Sequence, residues 1–355
     1  MDKKNNLKKF YLFFQSKKNL ETKTITYSLN LFIPTLIMLI FSFFQKYDLV
    51  AEMSILIGAN IIFTQIFSAN ARALIIKNND KILIKNSLKF RLYISLFLLI
   101  QNLLILKFLN TPYYTELVLI AVIILNQWII EINLTTLEIS KNISKFKIYN
   151  FISTLIIISV CVSLLLKLEI TYCLFLYCLF LFYFTVYDLR NKKINFFEIK
   201  NLKNLFNKII FSSEFISSFS ISLANLIWRI TIIFFCGKVL AGIYFAGYAI
   251  GSLPGSIFNN TFGPTVIREK IKIRDIWFKI FTFFLIIVFL LTLTFSFKYK
   301  IFEEYLFTQI FCSMISLLGS YFMISGLVKR QKLIQHSSNK KIFIVDIFYS
   351  IFVLS

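Results

Sequence analysis

Long apolar runs alternate along this chain with short polar gaps, and every second gap is crowded with Lys and Arg. Ten runs have the length of a membrane crossing, near 25–44, 49–76, 92–110, 117–138, 148–167, 169–187, 209–236, 239–266, 279–297 and 301–328. A helix needs ~20 apolar residues to cross a bilayer. One set of gaps (Lys3 to Lys23, Lys77 to Arg91, Lys141 to Lys147, Arg190 to Lys208, Arg268 to Lys279 and Lys329 to Lys341) holds 31 basic residues. The intervening set holds six: Lys46, Lys107, Lys167, Lys238, Lys298 and Lys300. Of 39 basic residues, two remain, Arg72 and Arg229, and both fall inside apolar runs. Basic residues stay on the cytoplasmic side of a membrane. The alternation therefore predicts a multi-pass protein with its amino terminus in the cytoplasm of a cell whose inner (plasma) membrane it occupies.

Composition excludes a soluble domain. Hydrophobic residues make up 58% of the chain and the mean hydropathy is +0.75. A net charge of +22 in a soluble protein would point to nucleic acid. Here the charge lies in gaps between spans and faces anionic headgroups, so membrane lipids are the expected partner and nucleic acid is not. No gap exceeds about 25 residues, too few for an extramembrane domain that folds alone. The basic start lacks a small-residue cleavage site, so the first span reads as a retained helix. The five Cys, all within or at the ends of apolar spans, show no metal-ligand spacing, and His336 sits in a basic gap without a partner. No cofactor or metal is expected.

The expected fold is all-α and polytopic, with about eleven transmembrane helices in two pseudo-repeated six-helix halves, the second incomplete. Spans one to five start about 190 residues before spans seven to eleven, and Ala51 then falls on Ala241 and Asn70 on Asn260. Both halves would share one orientation, as in parallel repeats about an axis along the membrane normal. The last stretch, from 342, is too short to cross. This divides the chain into a basic amino terminus (1–24), a first half (25–187), a cytoplasmic linker (188–208) and an incomplete second half (209–355).

Polar groups inside hydrocarbon face a partner or a wet cavity. In span seven, Glu214, Ser218, Ser222, Asn225 and Arg229 recur every three or four residues, within an arc of about 80°. Two arrangements satisfy such a stripe: a solvated central cavity, or interhelical hydrogen bonds with a snorkelling Arg. Span two carries Asn60, Thr64, Ser68 and Arg72 at four-residue spacing, with Asn70 beside them. In span four, Gln127, Glu131, Thr135 and Glu138 share a face, and Glu131 lies deep enough to require a partner or a proton. Arg72 and Arg229 are its candidate partners. Asn259 and Asn260 lie in the inner half of span eight. There, Gly247, Gly251 and Gly255 line one face beside Pro254, which suits either close helix packing or a helix that bends during a cycle. A cavity walled by Arg, Asn, Gln and Ser suits a phosphate and sugar hydroxyls.

The stretch LANLIWRITIIFFCGKVLAGIYFAGYAIGSLPGSIFNNTFGPTVI, Leu223–Ile267, resembles the start of the second half of O-antigen and polysaccharide flippases. These share a superfamily with the multidrug and toxin extruders. FSANARALI, Phe67–Ile75, resembles the matching segment of their first half. The resemblance implies that a lipid-linked oligosaccharide is inverted across the membrane by alternating access, with basic cavity residues meeting its diphosphate. It implies that role for Arg229 and Arg72. It also implies a glycan polymerase and glycosyltransferases of the same pathway as partners. The chain departs from the family in helix number, which is usually twelve or more, and lacks the Gly and aromatic cluster around Gln45–Leu49.

The expected function is therefore transport rather than catalysis: a flippase for a lipid-diphosphate-linked repeat unit of surface polysaccharide, O-antigen or capsule. Glu131 and Glu214 are its candidate proton or ion-coupling groups, and Arg229, Asn225, Ser222, Ser218, Arg72, Asn70, Asn260, Asn259 and Gln127 its candidate cavity. The alternatives are a cation-coupled small-molecule exporter of the same fold, which needs a compact acidic site, and a membrane-embedded glycan polymerase or transferase. The latter needs a base or nucleophile near a sizeable outward loop.

Overall fold

The computed structural model describes residues 26–68 (except 28 and 31), 75, 81–140, 143–191, 213–257, 276–299 and 304–336. Among them the regular structure is helical and no strand occurs. The helices are α1 (Phe32–Phe43, entered through helical residues at 26–27 and 29–30), α2 (Tyr47–Ser68), α3 (Lys81–Leu109), α4 (Tyr114–Ile139), α5 (Ile143–Leu165) and α6 (Ile170–Asn191). The element Ser213–Ile257 breaks at Gly237, which divides it into α7 (213–236) and α8 (238–257). Then come α9 (Ile276–Tyr299) and α10 (Glu304–His336). Six helices among the described residues are long and apolar enough to cross a membrane, one of them the broken Phe219–Ile257. Three shorter apolar helices accompany them. The chain is a polytopic helical membrane protein. The stretch from 342 lies outside the described residues.

Each of the ten apolar runs contains helix, and several helices, α3 and α10 above all, extend past their runs. The basic run before the third span is already the start of α3, which begins at Lys81. A helix makes its own backbone hydrogen bonds whatever its side chains, so it continues beyond the hydrocarbon boundary that hydropathy marks.

The turns at one end of the bundle are short and tight. Gln45 and Lys167 take left-handed φ of 58° and 55°. Each closes the preceding helix with the paired bonds of a Schellman cap: Lys46 N–H donates to Phe41 O and Gln45 N–H to Ser42 O, both at 2.9 Å. At α5, Leu168 N–H donates to Ser163 O at 2.8 Å and Lys167 N–H to Leu164 O at 3.2 Å. Asn110 (φ 45°) follows the end of α3. Residues of the α1–α2, α3–α4 and α7–α8 turns and the start of α10 meet around one open cleft of 320 Å³, lined by Lys46, Tyr47, Asp48, Tyr113, Val239 and Tyr305 among others. These are the Lys-poor gaps. At the opposite end, Tyr27, the end of α4 and the start of α5 meet: the Tyr27 hydroxyl lies 3.1 Å from Glu138 Oε2 and its ring 6.3 Å from that of Phe146.

The described lysines of the Lys-poor set share a position. Lys46, Lys107, Lys167, Lys238 and Lys298 each lie within three residues of the carboxyl end of α1, α3, α5, α7 or α9, and Lys300 lies outside the described residues. Those ends carry the negative pole of the helix dipole and unpaired carbonyls, which favour a nearby cation.

α4 forms the centre of the first six helices. It packs chiefly on α6 and α3 and also touches α2 and α5, and most of its length is buried. The largest core cluster runs from Ile33 and Phe41 of α1 through Leu117, Ile130 and Leu134 of α4 to Leu174 and Tyr177 of α6. α3, α5, α6 and α9 turn large apolar side chains outward, among them Phe108, Phe151, Phe182 and Phe284, as a lipid-facing surface demands. α10 packs on both α9 and the α7–α8 element, and α2 is the helix of the first group that lies along α7 and α8.

Candidate functional site: the seam between α2 and α7–α8

Arg229 projects from α7 onto α2. Its Nη1 donates to the Ser54 carbonyl at 2.7 Å. Gly58 makes room for it: a Cβ there would stand 2.9 Å from Nη1, 3.2 Å from Cδ and 3.3 Å from Leu226 Cδ1. The Ser54 carbonyl is the helical acceptor for the amide of residue 58, and its second lone pair takes the guanidinium. Among the described residues no carboxylate pairs with Arg229. The ring of Trp228, next in sequence, packs at 5.6 Å from Phe245 and 5.3 Å from Tyr248, both of α8.

Two further side chains of the α7 stripe are described. Ser222 is buried, and Asn225 Nδ2 returns to its own helix, donating to Ile221 O at 2.9 Å. The side chains of Glu214 and Ser218 lie outside the described residues, as do those of Arg72, Asn70, Asn259 and Asn260.

Gln127 is not at the seam. Its Nε2 lies 3.5 Å from the Tyr177 hydroxyl, and its backbone carbonyl accepts from Asn30 Nδ2 at 3.1 Å. Asn30 Oδ1 accepts in turn from the Tyr149 hydroxyl at 2.6 Å. This buried chain ties α4, α5 and α6 to the residues that lead into α1.

Glu131 has a partner that neither candidate foresaw. Arg91 of α3, 1% exposed, places Nη1 2.7 Å from Glu131 Oε2. The same nitrogen donates to the Trp128 carbonyl, and the guanidinium lies 5.0 Å from the centre of the Trp128 ring. In sequence Arg91 closes the basic Lys77–Arg91 run and reads as a gap residue. It stands ten residues into α3, ~15 Å along the axis. A usable signal was there: Trp128 and Glu131, three apart, put an aromatic face and a carboxylate on one side of α4. Another unforeseen pair joins α2 to α3. Asn60 and Asn102, both fully buried, exchange amide hydrogen bonds of 2.9 and 3.0 Å.

The second seam contact lies at the Lys-poor end. Lys238 Nζ, just past the Gly237 break, stands 2.6 Å from Glu52 Oε1 of α2. Glu52 is 1% exposed, and its other oxygen accepts from the Thr111 hydroxyl of the α3–α4 turn. Sequence reasoning passed over Glu52 and counted Lys238 as an ordinary gap residue.

The α8 glycines line two close approaches. A Cβ at Gly242 would collide with the Tyr47 carbonyl of α2, and one at Gly251 with the Ser316 side chain of α10. At Gly247 it would stand 2.6 Å from Cys312 Cβ. Ser316 Oγ donates to Tyr248 O at 3.2 Å and Ser320 Oγ to Gly251 O at 2.5 Å. Gly255 and Pro254 are buried within the same helix, which continues through the proline. Comparisons of the chain with protein-family models, with curated proteins and with solved structures find no match.

Proposed function

We propose that this protein is a flippase that carries a lipid-diphosphate-linked oligosaccharide across the inner (plasma) membrane by alternating access, for the assembly of a surface polysaccharide. In this reading the amino terminus and the basic gaps face the cytoplasm. The group α1–α6 and the group from α7 onward rock against each other along α2, α7 and α8.

The observation that carries the proposal is the state of Arg229. A guanidinium within a helix bundle is costly unless its charge is matched. Arg91 has Glu131 and Lys238 has Glu52. Arg229 is held by a neutral backbone carbonyl. Such a cation keeps its charge available, and its planar fork matches a phosphate. Parting of α7 from α2 would free the donor now on Ser54 and present it to an anion in the gap. The resemblance of Leu223–Ile267 to polysaccharide flippases supplies the anion: the diphosphate of a lipid carrier. The burial of Ala51 and Ala241 in one cluster with Phe245 fits a pseudo-twofold repeat, because equivalent residues meet at the axis of such a pair.

Deleting the gene in its host tests this. Lipid-linked glycan should accumulate on the cytoplasmic leaflet and surface glycan should fall. Arg229→Ala should reproduce the defect at normal protein level. Normal surface glycan after deletion would overturn the proposal.

A further inference from the structure

We infer that Glu52, Lys238 and Thr111 form a latch that holds the seam shut at the Lys-poor end and parts when the two helix groups separate there. The inference rests on the alternating-access reading above and adds a gate to it.

Three elements meet at one carboxylate. Glu52 lies in the second turn of α2, Thr111 in the α3–α4 turn, and Lys238 begins α8. Both carboxylate oxygens are engaged, one by the ammonium at 2.6 Å and one by the hydroxyl. Thr111 belongs to the same helix group as Glu52, so it orients the carboxylate without crossing the seam. Lys238 belongs to the other group, so its bond must break if the groups part.

The surroundings place the contact at a closing edge. Gly237 has φ 76° and ψ 168°, a conformation essentially reserved for glycine. It turns the chain so that the next residue reaches back to α2. One turn on, Gly242 packs directly on the Tyr47 carbonyl. The Tyr47 ring meets Tyr305 of α10 at 6.0 Å. Main chain, rings and ion pair thus join the two helix groups at the same end, around the cleft that Tyr47 and Tyr305 line.

The other described ion pair provides the contrast. Arg91 and Glu131 sit on α3 and α4, inside one helix group, and stay together whichever way the groups move. Lys238 is 41% exposed while Glu52 is 1% exposed. The ammonium therefore stands at the boundary with water and can exchange the carboxylate for solvent as the edge opens. Loss of the lysine leaves a buried carboxylate without its cation and weakens the closed edge. Because the Lys238 side chain is itself 41% exposed, its replacement removes no apolar core packing.

The test is hydrogen–deuterium exchange on the full chain in lipid nanodiscs, with Lys238→Met and Lys238→Arg. Lys238→Met should speed backbone exchange at residues 47–52 and 238–245 by about threefold or more, while residues 125–138 of α4 stay at the wild-type rate. Lys238→Arg should exchange like wild type. In cells, Lys238→Met should lower glycan export and Lys238→Arg should keep it. An unchanged exchange pattern in Lys238→Met would overturn the latch, as would faster exchange spread equally through α4. If deletion traps the glycan but Lys238→Met exchanges normally, the latch falls and the flippase stands. If the edge opens as expected but deletion leaves surface glycan normal, the flippase falls and the latch stands.

Discussion

Arg229 reaches the Ser54 carbonyl because residue 58 is glycine. The guanidinium fills the place where a Cβ would stand, 2.9 Å from Nη1. The first prediction follows from this fit. Gly58→Ala should push Arg229 off its acceptor while leaving α2 helical. The helix gains about 1 kcal/mol from alanine, and the lost charged hydrogen bond costs about 1.5–3 kcal/mol. A net loss of about 1 kcal/mol in thermal unfolding is expected, with a clear fall in export. In a double-mutant cycle the two sites should be strongly non-additive, Gly58→Ala adding little to Arg229→Ala. Additive losses would separate the two residues.

The Arg91–Glu131 pair makes a different prediction. Glu131→Gln leaves a buried guanidinium without its counter-charge, and loss of one partner of a buried pair costs about 3–5 kcal/mol. Glu131 is 29% exposed, so solvent screening lowers the expected loss to about 2–3 kcal/mol. Replacing both, as Arg91→Met with Glu131→Leu, should cost less than Glu131→Gln alone. Unfolding in detergent reads this directly. Equal or greater loss in the double variant would mean that the pair contributes net stability.

Two turn positions should respond in opposite directions. Gly237→Ala has open space around it, so only the backbone objects, at about 1–3 kcal/mol. Gly237→Asn should be as harmful, because ψ 168° lies outside the left-handed helical region that Asn tolerates. Gln45→Gly should instead stabilise by about 0.5–1 kcal/mol, since φ 58° at a Schellman cap suits glycine. Thermal midpoints of the three variants check it.

The Lys-poor lysines carry the fourth prediction. If Lys167 complements the carboxyl end of α5, then Lys167→Glu should lower the thermal midpoint by a small amount that shrinks as salt is raised. Lys167→Arg should be neutral. A loss independent of salt would point to packing instead.

Much of the architecture was legible because burial in lipid imposes simple rules. Apolar length marks a crossing, and each of the ten runs holds a helix. Residues of the α1–α2, α3–α4 and α7–α8 turns and the start of α10, all at Lys-poor gaps, meet around one cleft. Boundaries were less legible: α3 starts at Lys81, well before its apolar run, because backbone hydrogen bonding does not follow hydropathy. The polar side chains were harder still. The stripe on α7 drew attention to Arg229, and the fold sets that side chain on Ser54 over Gly58. The stripe could not say that the partner would be a main-chain atom on α2, because a carbonyl acceptor leaves no mark in side-chain pattern. Arg91 and Glu52 were missed because each looked ordinary in its own segment.

Sequence alone thus determined that the chain is helical and embedded in a membrane, and that Arg72 and Arg229 stand outside the alternation of basic gaps. Those properties depend on composition and period, which are local. Tertiary structure decided the partners: Arg91 with Glu131, Lys238 with Glu52, Arg229 with Ser54, Asn60 with Asn102. A partner depends on which helices are neighbours and how they are rotated. Inside an apolar bundle that choice is made by packing, through contacts such as Gly58 beneath Arg229 and Gly242 against Tyr47. Lys238 shows both halves of the lesson. Its place at the end of an apolar run is a property of the sequence, while its pairing with Glu52 across the seam emerged only once the chain was folded.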